Sequence, residues 1–195
     1  MMNSMTAKPH EVLLDHLDLL SDLDRSLSVL DLACGAGQNG LTLARQGIPV
    51  VFADRSATAL EVVKQCLVED ALPGRIWQVD LEQPDSNPLA GQNFSAIIGF
   101  RYLHRPLFPA IKKAVEPGGL VVYETFTIEN RHFGRPNNPD FLLQPGELRT
   151  IFQDWQTIFY FEGVLHYPDR AVAQIVSKKP LRQTQSIRNK KNQAF

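Results

Sequence analysis

The sequence predicts an α/β fold, a doubly wound and mostly parallel sheet with helices on both faces. Three observations carry that prediction. Short apolar runs of strand type alternate with runs of helical spacing from Leu27 to Thr125. The first of these runs enters a glycine turn, Gly35-Ala-Gly-Gln-Asn-Gly40, which opens a helix. Two strand-like runs follow each other at the end of the patterned region, which implies an antiparallel addition at one sheet edge.

The elements follow in order. Glu11 to Leu20 places Val12, Leu13, Leu14, Leu17 and Leu20 at helical spacing, with Asp15 and Asp18 opposite, and predicts one N-terminal helix. Ser28–Leu32 reads as the first strand and Asn39–Gln46 as the helix after it, ended by Gly47. Pro49–Ala53 is the second strand, with proline tolerated at its first residue. Ser56 caps a helix that continues to about Val68. Arg75–Val79 and Phe94–Gly99 are the third and fourth strands, and Gln83–Asn93 between them is loop. Pro106 and Pro109 open a helix to Ala114, Glu116-Pro-Gly-Gly119 forms a tight turn, and Leu120–Thr125 is the fifth strand. Ile128–Leu143 is a long polar connection, of the kind that is usually functional. Pro145–Phe152 looks helical, and Trp155–Phe161 and Asp169–Ser177 look like two strands with a turn near His166–Pro168.

Composition bounds the problem. A chain of 195 residues, 44% apolar and 21% charged, fits one domain with a real core. Such a chain buries about 70% of its unfolded surface. No apolar run approaches the roughly 20 residues of a membrane helix. Met1–His10 lacks a secretory pattern, so the expected location is cytoplasmic. Cys34 and Cys66 have no metal-ligand spacing, and no metal is expected. The net charge of −1 hides an asymmetry: Lys178–Phe195 holds six basic residues and no acid, leaving 14 basic and 21 acidic residues elsewhere, a net of −7. That tail is expected to be disordered and solvated, with weak contact to RNA as the sharper reading. The boundaries are therefore 1–177 for one domain, with 1–26 as a helical N-terminal cap, and 178–195 for the tail.

The glycine turn is the chemical focus. Gly35 and Gly37 allow a ligand close to the backbone, and the helix that follows aims unpaired amides at it. A pyrophosphate or a carboxylate would suit that end. Asp31, just before the turn, would repel a pyrophosphate but could orient an ammonium group. Asp54 stands nineteen residues past Gly35 at the tip of the second strand, where it can accept from both ribose hydroxyls or, more plainly, face the dipole of the next helix. Asp80 in Trp77-Gln-Val-Asp-Leu81 can accept from an exocyclic adenine amine while Leu81 packs on the base, or it can simply cap a turn.

The run Val29-Leu-Asp-Leu-Ala-Cys-Gly-Ala-Gly37, with Asp54, Asp80-Leu81 and Glu116-Pro-Gly-Gly119, resembles class I S-adenosylmethionine-dependent methyltransferases. Within them it looks most like the compact tellurite-resistance-type and related small-molecule enzymes, partly through the Gly-x-Gly-x-Asn form of the turn. The resemblance implies a Rossmann-like sheet of seven strands in the order 3-2-1-4-5-7-6, with strand 7 antiparallel. It implies S-adenosylmethionine as cofactor, over the carboxyl ends of strands 1 to 4. Its cofactor-binding set here is Asp31, Ala33, Gly35, Gly37, Asp54, Arg55, Asp80, Leu81 and Phe100.

Substrate chemistry is expected beside that site. Phe100-Arg-Tyr-Leu-His-Arg-Pro106 follows the fourth strand and lacks the Asn/Asp-Pro-Pro-Tyr/Phe motif of amino- and nucleobase-methylating enzymes. Arg101, His104 and Glu124 are the candidate catalytic side chains. Plain alternatives are a surface ion pair for Arg101, a helix cap for His104, and an anchor for Arg135 in the case of Glu124. Tyr102 and Arg135 are the candidate substrate contacts, although Tyr102 could instead form the cofactor wall. The connection Asn130–Asn138 reads as a substrate lid, and the N-terminal helix as a second cover. Cys34 reads as a space-filling residue rather than a nucleophile.

The expected reaction is methyl transfer to a small acceptor of anionic, thiol or chalcogen type. Two rivals are a nicotinamide-dependent oxidoreductase and a non-catalytic nucleoside- or RNA-binding module. Against the former, no tyrosine is followed four residues later by lysine: Tyr102, Tyr123, Tyr160 and Tyr167 precede Pro106, Thr127, Val164 and Ala171.

Overall fold

The computed structural model describes residues 8–84 and 86–182. The segment 1–7 and most of the basic tail, with Arg188, Lys190 and Lys191, lie outside the described residues. Seven strands form one sheet: β1 (Val29–Leu32), β2 (Val50–Asp54), β3 (Gly74–Gln78), β4 (Phe94–Phe100), β5 (Val115–Phe126), β6 (Gln156–Leu165) and β7 (Arg170–Lys178). Their order is β3-β2-β1-β4-β5-β7-β6. The first five strands run parallel, and β7 pairs antiparallel with both β5 and β6. This is the predicted doubly wound, Rossmann-like architecture, with the strand order reversing beside β1.

Alternation along the strands builds two cores. Val29, Phe52, Ile98 and Val122 face one side, where they meet α1 (Glu11–Leu14), α2 (Leu17–Ser21), α3 (Gln38–Arg45) and α4 (Ala57–Glu69) through Leu13, Leu20, Leu43 and Val63. Leu30, Val51, Ile97 and Tyr123 face the other side, against Ile111 of α5 (Phe108–Ala114) and Leu148 of α6 (Glu147–Ile151). The inner strands are buried on both faces, which suits their Val- and Ile-rich sequence.

Three local predictions change. The N-terminal helix is two short helices, α1 and α2. The His16 ring lies 2.8 Å from the Val12 carbonyl, the acceptor a continuing helix would give to the residue-16 amide, and that amide turns to Leu13 instead. The expected turn at Glu116–Gly119 is instead the start of β5, which begins at Val115. Its register with β4 shifts between Phe94 and Ala96, and Gly118 and Lys179 bond through their backbones. Finally, the connection after β5 is not featureless: it contains short 3₁₀ turns at Ile128–His132 and Pro139–Phe141.

The start of α3 fixes the working end of the sheet. Gly37 precedes it at φ 76°, a conformation costly for other residues. No side chain caps the helix; instead buried Asp31 of β1 reaches over and accepts the Gly40 amide at 2.9 Å. Gly40 permits that approach, since a Cβ there would lie 2.5 Å from the Phe52 ring and 2.7 Å from the Asp31 carboxylate. Burial, against the Gly40 bond and with help from Asp54, raises the Asp31 carboxyl from 3.8 to about 7.

Two predictions follow from this joint. Gly40→Ala should lower the unfolding free energy by about 1–3 kcal/mol through overpacking, read by urea denaturation. Because the folded pKa of Asp31 exceeds the unfolded one, its ionisation weakens the fold progressively as pH rises from about 4 to about 7. Asp31→Asn keeps an acceptor for Gly40 and removes that ionisation. Its stability relative to wild type should therefore climb by a few kcal/mol, roughly, across the same range; a pH-independent difference would show that Asp31 titrates normally.

Candidate active site

The carboxyl end of β1 turns through Ala33 at φ 53° and Gly35 at φ 55° into Gly37. A Cβ on Gly35 would meet nothing within 4 Å, so this glycine serves the turn and leaves open space above it. Its amide donates to Asp54 Oδ2 at 2.8 Å, while the Ser56 amide donates to Oδ1 at 2.8 Å. Asp54 is thereby fixed between the glycine turn and the start of α4. It is only half-buried and keeps lone pairs for a ligand. Ser56 Oγ in turn accepts the Ala59 amide, the predicted cap.

Beside Asp54 lies a cavity of about 140 Å³ lined by Ala33, Arg55, Asp80, Leu81 and Tyr102, among others. Leu81 is buried at its base and Asp80 is exposed at its rim. Asp80 accepts the Glu82 amide, the turn-capping alternative of the sequence reading. Tyr102 belongs to this cavity, the cofactor-wall alternative of the sequence reading, and is not brought to Arg135. Its buried hydroxyl has no hydrogen-bond partner. Burial first, then the nearby Glu82 and Asp80 charges, push the phenol upward. A larger recess of about 500 Å³ between Arg105, Phe108, Lys112 and Glu147 shares no residue with the glycine turn. Among the described residues no group of His, Cys, Asp and Glu is arranged to hold a metal ion.

The α1–α4 face of the same end holds a polar cluster that sequence reasoning only half found. Glu124 lies near the end of β5 at 1% exposure, yet it does not anchor Arg135. Its Oε1 lies 2.8 Å from Nδ1 of His10, and its Oε2 accepts Gln174 Nε2 at 2.6 Å. His10, 6% exposed, precedes α1; its backbone amide donates to Asn39 Oδ1, and its ring stacks on Phe100 with centroids 4.4 Å apart. Phe100 therefore packs under the N-terminal segment with its ring on this face. Burial alone would raise the Glu124 carboxyl, but the His10 and Gln174 bonds and the Arg170 charge outweigh it and hold it below the usual range. A lone histidine in a polar N-terminus carries no sequence signal for such a pairing across 114 positions.

The remaining candidates are dispersed along the mouth. Arg101 is exposed at φ 56°, an uncommon backbone state for arginine, and its amide donates to the Glu124 carbonyl at 2.8 Å. It makes no salt bridge among the described residues. His104 precedes a 3₁₀ turn, but its side chain caps nothing. Arg135 is exposed in the connection after β5, its carbonyl held by Asn130 Nδ2. That connection is pinned at several points: Asn130 Oδ1 accepts the Ala171 amide, and Arg105 donates to the carbonyls of Asp140 and Leu142. Cys34 is raised by burial and by the charges of Asp31 and Asp54, which leaves its thiol protonated.

Comparison with known proteins agrees with this geometry. Residues 29–119 match the family model of a methyltransferase domain. No curated protein sequence matches the chain. Among solved structures, TehB from Haemophilus influenzae superposes with a TM-score of 0.72 at 21% identity, over 87% of this chain and 62% of that one, so this chain spans less than two thirds of TehB's length. An S-adenosylmethionine-dependent methyltransferase from Methanosarcina mazei gives a TM-score of 0.65 at 13% identity, covering 89% of this chain and 99% of that one. Magnesium protoporphyrin IX methyltransferase from Synechocystis PCC 6803, solved with bound SAH, gives 0.65 at 14% identity, over 86% and 81% of the two chains. These likenesses concern the fold, while the domain match concerns the sequence around the glycine turn. The two agree: residues 29–119 match a methyltransferase domain, and the chain shares its fold with solved structures of S-adenosylmethionine-dependent methyltransferases.

Proposed function

We propose that the protein transfers a methyl group from S-adenosylmethionine to a small acceptor of anionic, thiol or chalcogen type. One observation supports this most: the Gly35–Asp54 bond sets a half-buried carboxylate with lone pairs to spare at the edge of an open glycine turn, next to the Leu81 cavity. In this reading Asp54 accepts from the ribose hydroxyls, Leu81, Asp80 and Tyr102 surround the adenine, and Ala33 and Arg55 complete that cavity. Gly35 and Gly37 present backbone to the amino-acid end, and Asp31 balances its ammonium, which would draw the Asp31 proton off. The bound donor supplies an electrophilic sulfonium methyl. The chain's own residues align acceptor and methyl and exclude water.

Arg101 and Arg135 bring positive charge to the mouth, which favours an anionic acceptor. The segment 130–138 serves as its lid, and residues 1–177 act as one domain. The basic tail has no part in this reading. An oxidoreductase would need pyrophosphate on the turn, where Asp31 opposes it.

Calorimetric titration with S-adenosylhomocysteine tests the donor half. Wild type should bind with a micromolar Kd, about 8 kcal/mol at 1 μM. Asp54→Ala should weaken binding by roughly 10- to 100-fold, the usual loss for bonds to a charged group; equal affinities would remove Asp54 from the site. A labelled-donor screen over small thiols, carboxylates, oxyanions, neutral amines and bulk RNA tests the acceptor half, and preference for neutral amines or RNA would overturn the proposed class.

A further inference from the structure

We propose that His10, oriented by Glu124, is the general base that takes the acceptor's proton during methyl transfer; this rests on the methyltransferase reading above. The pair is built rather than incidental. Both side chains are more than nine-tenths buried, and every contact restricts the ring. Its Nδ1 faces Glu124, its plane lies at 25° to Phe100, and its backbone is tied to Asn39 in the first turn of α3. Glu124 is itself fixed, one oxygen on His10 and the other on Gln174, with its carbonyl holding the amide of Arg101. Asn39 stands two residues past Gly37, and Glu124 pairs with Phe100, the last residue of β4. The dyad therefore sits beside the amino-acid end of the proposed cofactor site, where the reacting methyl belongs.

The hydrogen bonding sets the chemistry. An ionised Glu124 only accepts, so Nδ1 of His10 must carry the proton it shares. In the neutral ring this leaves the lone pair on Nε2, which has no hydrogen-bond partner among the described residues. A buried ion-capable pair rarely stabilises a fold more than apolar residues of the same volume, so stability alone does not account for it. The other charged groups on this face are Asp31 of β1, which holds the same turn of α3, and Arg170 of β7, whose charge acts on Glu124. Asn39, Phe100 and Gln174 supply neutral contacts.

The acceptor's lone pair bonds to the methyl carbon, and the carbon–sulfur bond breaks with its electrons going to sulfur. The acceptor's proton passes to Nε2 of His10. Glu124 stabilises the resulting imidazolium, which then releases the proton to water. A small alkyl thiol, mostly protonated at neutral pH, needs this help; one already ionised does not.

The tautomer tests the proposal directly. ¹⁵N-histidine NMR of the full chain, with S-adenosylhomocysteine added and His10 assigned through His10→Gln, should show a protonated Nδ1 and a bare Nε2 at about pH 8. Glu124→Gln should erase that preference. A wild-type ring protonated at Nε2 would overturn the proposal. Rates provide the second arm, using 3-mercaptopropionate and the pre-ionised 5-thio-2-nitrobenzoate as acceptors. His10→Gln should lower kcat/KM about 100-fold for the first and under about threefold for the second. An equal loss on both thiols would make His10 a structural residue. Calorimetry separates the layers: a wild-type chain that does not bind S-adenosylhomocysteine fails at the cofactor reading, whereas normal binding with the wrong tautomer fails at the dyad.

Discussion

The hydrogen bond from the Gly35 amide to Asp54 is the contact on which the working end of the molecule turns. It crosses from the tip of β1 to the tip of β2. It holds the glycine turn in its left-handed path and fixes one carboxylate oxygen of Asp54, which limits how the second can turn. Ser56 completes the fixation by donating to that second oxygen, which makes α4 part of the same device. Prepaying this order is worth more to binding than adding another contact, because a loose carboxylate would have to be immobilised by the ligand itself.

The sheet then divides the site between its two faces. On the side of α5, apolar Leu81 and the Tyr102 ring make a slot suited to a flat base. On the side of α1 and α2, polar groups replace the core: Asp31, Asn39, His10, Glu124 and Gln174 are all buried, at positions where the pattern would otherwise call for aliphatic residues. A buried polar network is costly unless nearly every member is satisfied, and here the carboxylates of Asp31 and Glu124 accept bonds of 2.9 Å or less. Such groups gather near the carboxyl ends of β1 and β5, and buried ionisable clusters of this kind favour functional sites.

What was legible in the sequence was local. Strand–turn–helix order, the Gly35 and Gly37 pair, the spacing to Asp54 and the two final strands all depend on residues near one another, and the sheet order followed from the family they resemble. What was missed depends on distance along the chain. Nothing near His10 signals that it meets Glu124, because the contact exists only after the N-terminal segment packs across the sheet. Glu124 stands among apolar residues, a legible signal of burial, but the sequence points to an arginine nearer along the chain as its partner. The split of the first helix came from one side chain, His16, competing for a carbonyl. Glu116–Gly119 has the residues of a turn and bulges between the β4 pairings of Val115 and Leu120, yet backbone bonds of Gly118 and Gly119 to Lys179 keep it in β5.

The central claim is that Asp54, held by Gly35, grips the ribose of an adenosine-bearing methyl donor. A crystal structure of the full chain grown with S-adenosylhomocysteine tests it most directly. The account predicts both ribose hydroxyls within hydrogen-bond reach of Asp54, the Gly35 bond kept, and the adenine against Leu81. A nucleoside bound anywhere else, or a pyrophosphate seated on the glycine turn when NADH is supplied in competition, would contradict it.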